Sequence, residues 1–210
     1  MTRSGDAVFL VHGLWTNRAV MLYLARGLAR RGFRTRALGY LSAMRPLDDN
    51  AARIAHAVAR LDSPRIHVVA HSYGGVVALR ALERHRDPRV QRVVLLGSPV
   101  GGSDAGRQLA RSRWKARLLG TTRAVWHAMP RLEIPPGVEA GAIAGTGRVG
   151  LGRFFAKLPA PNDGVVTVEE TRHPQLADHI VLPVSHSLML VSPMVVRQIT
   201  AFLETGRFAQ

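Results

Sequence analysis

No cysteine occurs in the chain, lysine occurs only at 115 and 157, and acidic residues are about half as common as basic ones. Without cysteine there is no disulfide, no thiolate zinc site and no cysteine nucleophile; the compartment stays open on that ground, since secreted enzymes also do without it. Long apolar runs are missing too. Nothing approaches the roughly 18–20 residues of a membrane helix. The opening MTRSGDAVFLVHGLW holds an apolar run of only about five, a poor signal peptide. These absences lead to the expectation of a soluble, cytoplasmic protein.

What is present is a chain of 210 residues, 47% hydrophobic, with a mean hydropathy of +0.04. That excludes a disordered or fibrous protein and suits one large domain with a sizeable core. No repeat, linker or composition break divides it, so 1–210 reads as a single domain.

Lys plus Arg number 29 against 14 Asp plus Glu, a formal net charge of +15. Such a balance suits an anionic partner, or it is arginine-heavy composition dispersed over solvated helix faces. Most of the excess is dispersed. The exception is 105–132, where Arg107, Arg111, Arg113, Lys115, Arg117, Arg123 and Arg131 occur with no acid. Arg107, Arg111 and Lys115 follow i, i+4 spacing and would share a helix face, unpaired, with a weak attraction to an anionic lipid surface. Nucleic acid is a poor partner, because neither aromatic interleaving nor a recognised binding motif accompanies the charge.

Short apolar runs alternate with amphipathic stretches. Strands are expected at Ala7–Val11, Arg34–Tyr40, Ile66–Ala70, Val90–Leu96, Val138–Ala144 and Ile180–Val184. Helices are expected at 18–31, stopped by Gly32, at Asp49–Leu61 and at 74–86. The last helix has Ser192 as N-cap, Pro193 at its first position and Gly206 just past its end. Strand and helix alternate, and the strands are continuously apolar. That pattern predicts an α/β fold with a parallel sheet covered on both faces. The segment 101–137 is the least regular and reads as a small cap or lid, or as a long crossover. Its apolar residues Leu118, Leu119, Val125, Trp126 and Met129 either line an acyl-binding groove or complete the core.

In IHVVAHSYGGVVALRAL a serine, Ser72, stands at a sharp turn between strand and helix. A nucleophile elbow needs this context, with small residues around the serine because strand and helix approach closely; Ala70, Gly74 and Gly75 supply them, and His71 supports the turn. Ala70 replaces the usual first glycine. A serine hydroxyl needs a base, itself oriented by a carboxylate. Of nine histidines, His186 lies in the loop after the last strand, on the same sheet edge as Ser72. His179 precedes that strand and falls at the wrong edge. Asp163 follows the fifth strand and is the expected acid, with Asp104 as runner-up and Asp178 as a solvated surface charge. The order Ser72, Asp163, His186 is the one this kind of fold dictates. An oxyanion hole needs two backbone N–H groups. Tyr73 supplies one, and Leu14, in the His12-Gly13-Leu14-Trp15 turn after the first strand, the other.

VFLVHGLW, AHSYGG, NDGVV and VSHSLML, in this order, resemble a small bacterial α/β-hydrolase of the serine lipase/esterase type. The resemblance spans about 7–205, with no motif in 101–137. It implies hydrolysis of small-molecule carboxylic esters through an acyl-serine, with no metal or cofactor. Trp15 and Trp126 become candidates to line the substrate. The family's first two antiparallel strands are missing from the sequence, which implies a minimal version with about six mostly parallel strands. Thioesterases and amidases share the fold, so fold alone does not choose among them. A different class also stays open, a non-catalytic binder of an anionic membrane or other anionic partner on the same scaffold. The oligomeric state is not written in the sequence.

Overall fold

The computed structural model describes residues 5–111, 116–147 and 158–209. Six strands form one parallel sheet: β1 Ala7–Val11, β2 Arg34–Ala37, β3 Ile66–His71, β4 Val90–Leu96, β5 Glu139–Gly145 and β6 Asp178–Leu182. Their order across the sheet is β2-β1-β3-β4-β5-β6. Parallel strands expose both faces to helices, so both must be apolar. In β1, Ala7, Phe9 and Val11 point to one core layer and Val8 and Leu10 to the other.

The layer containing Phe9 is covered by α2 (Leu47–Ala59) and α3 (Tyr73–Arg84). The opposite layer is covered by α1 (Leu22–Ala29) and α7 (Pro193–Thr205). Segment 101–137 forms α4 (Asp104–Arg111), α5 (Ala116–Leu119) and α6 (Arg123–His127), which extend the first layer beyond the carboxyl ends of the strands. No helix among the described residues is long and apolar enough to cross a membrane.

Several boundaries differ from those expected, each for a local reason. The helix expected over 18–31 begins as a 3-10 turn at Arg18–Met21, because Asn17 caps it by accepting from the Ala19 N–H at 2.8 Å. The second strand stops at Ala37 instead of Tyr40; the Tyr40 N–H leaves the ladder and bonds to His12 Nε2 at 3.3 Å. The sixth strand starts at Asp178, so His179 lies inside it, bonded to Thr171 Oγ1 at 2.8 Å. Asp178 is half-buried instead of solvated and accepts from the Phe208 N–H at 2.8 Å, tying down the C-terminal tail. The last helix starts and stops as its caps predict. Ser192 Oγ accepts from Val195, Pro193 opens the helix, and Gly206 takes φ 79° past its end.

Candidate active site

Ser72 joins β3 to α3 with φ 56° and ψ −131°. Non-glycine residues rarely adopt positive φ, and holding one there costs on the order of 1–3 kcal/mol that the surroundings must offset. Those surroundings are tight. A Cβ at position 74 would stand 2.4 Å from the His12 carbonyl oxygen, and one at position 75 would stand 2.2 Å from Ser98 Oγ. Only glycine lets α3 begin so close to β1 and β4. Tyr73 is the first residue of α3, so its N–H has no carbonyl partner within the helix.

The loop after β1 lies directly against this turn. A Cβ on Gly13 would be 3.1 Å from Ser72 Cβ, which places the following Leu14 beside the serine. His12 fixes the loop. Its Nε2 accepts the Tyr40 N–H, so Nδ1 carries the proton and donates to the Gly13 carbonyl at 3.0 Å. The Tyr40 hydroxyl donates to the His12 carbonyl at 2.7 Å and its ring stacks on the imidazole. Burial lowers the His12 pKa, which keeps the ring neutral and this tautomer in place. Ser42 accepts the Trp15 N–H at 3.2 Å and completes the anchorage.

Asp163 and His186 meet across two different loops. His186 Nδ1 donates to Asp163 Oδ2 at 2.8 Å, and the His186 N–H donates to the Asp163 carbonyl at 3.0 Å. Asp163 Oδ1 accepts from Val165 at 2.9 Å and Val166 at 2.7 Å. The carboxylate is 1% exposed. Gly97, at φ 50° after β4, makes room for the pair: a Cβ there would be 2.9 Å from Asp163 Oδ2 and 3.1 Å from His186 Nδ1. His71 Nε2 donates to the His186 carbonyl at 3.0 Å, with the two rings 4.6 Å apart. Complete burial, reinforced by the neighbouring His186, pushes the His71 pKa down to about 3, so it remains a neutral support.

Asp104 stands elsewhere. It opens α4, pairs with Arg107 of the same helix, and its N–H donates to Glu170. The 105–132 cations are therefore not uniformly unpaired, since Arg131 also meets Glu133, at 3.4 Å. Arg113 and Lys115, and the Leu118 side chain, lie outside the described residues. Glu170, buried and unremarkable in the sequence, also accepts the Thr167 N–H at 2.7 Å, and so ties α4 to the loop carrying Asp163.

Ser72, His186, Gly13, Leu14 and Tyr73 line one cavity of about 230 Å³. The rest of its wall is mostly apolar, including Trp15, Leu109, Leu119, Trp126, Val166 and Leu190, with Thr16, Ser103 and Ser187 as polar members. Trp126 is buried, its ring 5.5 Å from that of Tyr73 and packed on Gly106, where a Cβ would be 2.7 Å from the indole. Described residues of α4, α5 and α6 thus both complete the core and wall the cavity. Larger clefts of about 700 Å³ between β2 and α2 and about 800 Å³ between α1 and α7 contain none of these groups.

The alpha/beta hydrolase family model matches residues 8–199. The chain belongs to the alpha/beta hydrolase family. Among solved structures, the mature lipase BlEst2 of Bacillus licheniformis is 18% identical with a TM-score of 0.78, over 97% of this chain and 92% of that one. A metagenomic carboxyl esterase, MGS0156, is 22% identical with a TM-score of 0.68, over 88% and 65%. The esterase EaEST from Exiguobacterium antarcticum is 16% identical with a TM-score of 0.63, over 97% and 94%. Among curated proteins none matches the sequence. At these identities the structural likeness concerns the fold.

Proposed function

We propose that this alpha/beta hydrolase cleaves small-molecule carboxylic esters through an acyl-enzyme formed on Ser72. The observation that carries the proposal is the 2.8 Å bond from His186 Nδ1 to buried Asp163, beside the strained Ser72 turn in one apolar cavity. With Nδ1 protonated toward Asp163, His186 presents an unprotonated Nε2. That nitrogen takes the Ser72 hydroxyl proton as Oγ attacks the acyl carbon. The tetrahedral oxyanion is held by the N–H groups of Tyr73 and Leu14. His186 then delivers the proton to the leaving alkoxide as its C–O bond breaks, and the acyl group remains on Ser72. Water, deprotonated by His186, attacks the acyl carbon and releases the acid, and the proton returns to Ser72. Asp163 stays ionised and stabilises the imidazolium in both halves. The mostly apolar wall, with no Asp, Glu, Lys or Arg among its described residues, favours an uncharged acyl group. The ester-cleaving names of the three similar structures agree with this reading.

The test is Ser72→Ala. Hydrolysis of short-chain p-nitrophenyl esters should fall by at least about 10³-fold with an unchanged circular dichroism spectrum. Substantial residual hydrolysis in a folded variant would remove Ser72 from the reaction.

A further inference from the structure

Among the described residues, eight large apolar side chains are strongly exposed, and seven of them lie beyond the carboxyl ends of strands, on the edge that holds Ser72. Trp15 stands in the loop after β1 at the cavity mouth, 52% exposed. Leu41 and Met44, 50% and 72% exposed, follow β2 and are joined to Trp15 through Ser42. Leu188 and Val191, each 50% exposed, project from the 3-10 turn just after His186, and that turn packs on α1. At the start of α1 Leu22 and Tyr23 are exposed as well, at the cleft between α1 and α7. Val181, inside edge strand β6, is the exception. Single exposed hydrophobic residues are ordinary, but a contiguous apolar band around a cavity marks a contact surface.

Charge identifies what this surface meets. Arg18 lies between Trp15 and Leu22, Arg45 follows Met44, both are exposed, and neither has an ion-pair partner among the described residues. On the same edge Asp48 is paired with Arg80 and Asp104 with Arg107, and Arg111 and Arg123 are likewise exposed with no ion-pair partner among the described residues, so unpaired guanidiniums outweigh the remaining Asp49. A second copy of this chain would bring another +15 against the rim. A lipid layer offers the complementary surface: acyl chains for the apolar residues and phosphates for the arginines.

We propose that the apolar rim around the Ser72 cavity docks this chain on lipid surfaces carrying anionic headgroups, so that esters enter the cavity from the lipid layer. The attachment lies on the loops around the mouth and not on the 105–132 face, whose apolar side chains Leu109, Leu119, Val125, Trp126 and Leu132 are buried. The purpose of docking rests on the ester-cleaving reading; the docking itself does not.

Vesicle sedimentation of the Ser72→Ala chain separates the two, because no lipid is consumed. The chain should bind vesicles of phosphatidylcholine with phosphatidylglycerol at least about tenfold more than phosphatidylcholine alone, and salt should weaken that preference. Arg18→Glu with Arg45→Glu should cut binding by about fivefold or more per position. Leu41→Ser with Met44→Ser should reduce it about tenfold or more at an unchanged melting temperature, and Leu188→Ser should reproduce the loss from a second loop. Binding by all these variants equal to that of the parent would overturn the proposal. So would a parent chain that binds no vesicle and instead forms a dimer that Leu41→Ser with Met44→Ser dissolves. Vesicle binding as expected, with a wild-type chain inert toward esters, would keep the docking and remove the ester-cleaving reading.

Discussion

Asp163 Oδ1 is occupied by two backbone N–H groups, which leaves Oδ2 free to hold one nitrogen of His186. An acid fixed by its own loop orients the base without needing a further side chain. In the proposed mechanism Ser72, His186 and Asp163 act as a unit, so their losses should not add: Ser72→Ala combined with His186→Ala should be about as inactive as either alone. Asp163→Asn should cost less than His186→Ala, since the imidazole remains. Asp104→Asn should be nearly silent, because Asp104 serves Arg107 and the start of α4. Steady-state kinetics on a soluble ester decide the point. Greater damage from Asp104→Asn than from Asp163→Asn would assign the acid to Asp104.

Helices α4 and α6 meet where Trp126 packs on Gly106, above the Tyr73 ring. Trp126→Ala should therefore do two things. It should destabilise the fold by roughly 3–5 kcal/mol, as loss of a buried aromatic does, and raise the rate on C12 relative to C4 esters by enlarging the cavity. Unchanged relative rates with a lowered melting temperature would confine Trp126 to the core. The strands, α3 and the caps of α7 were legible in the sequence because periodicity, Pro193 and Gly206 act locally. Ser72 was legible because a strand, a small-residue turn and a helix coincide around it. Tyr40, Gly97 and Glu170 were not. Each acts on a residue brought near by the fold: Tyr40 on His12, Gly97 on the Asp163–His186 pair, Glu170 on the N–H of Asp104. Only Gly97 left a trace, as a glycine at the end of a strand.

At the scale of the whole molecule, burial of histidine contributes to the response to acid. Burial pushes the His67 pKa down to about 4 and that of His71 to about 3, from 6.5. Asp6 lies 3.8 Å from His67, yet burial prevails, so their contact is not an ion pair at neutral pH. Above pH 6.5 both rings are neutral in folded and unfolded chains, and they impose no penalty. Below it the unfolded chain takes up protons that the folded one refuses. Stability then falls by up to about 1.4 kcal/mol per pH unit for each ring. For His67 the loss runs down to about pH 4, and for His71 to about pH 3. Chemical denaturation between pH 7 and 4 should show this decline, and His67→Gln should make it shallower; an identical slope would contradict the assignment. The central claim, that this fold exists to activate one hydroxyl, is tested most directly by a fluorophosphonate reaction read by intact mass. Wild-type protein should gain a single phosphonyl group, mapped to Ser72 and absent from His186→Ala and Ser72→Ala on the same timescale. Folded wild-type protein left unmodified, or modified at another residue, would contradict it.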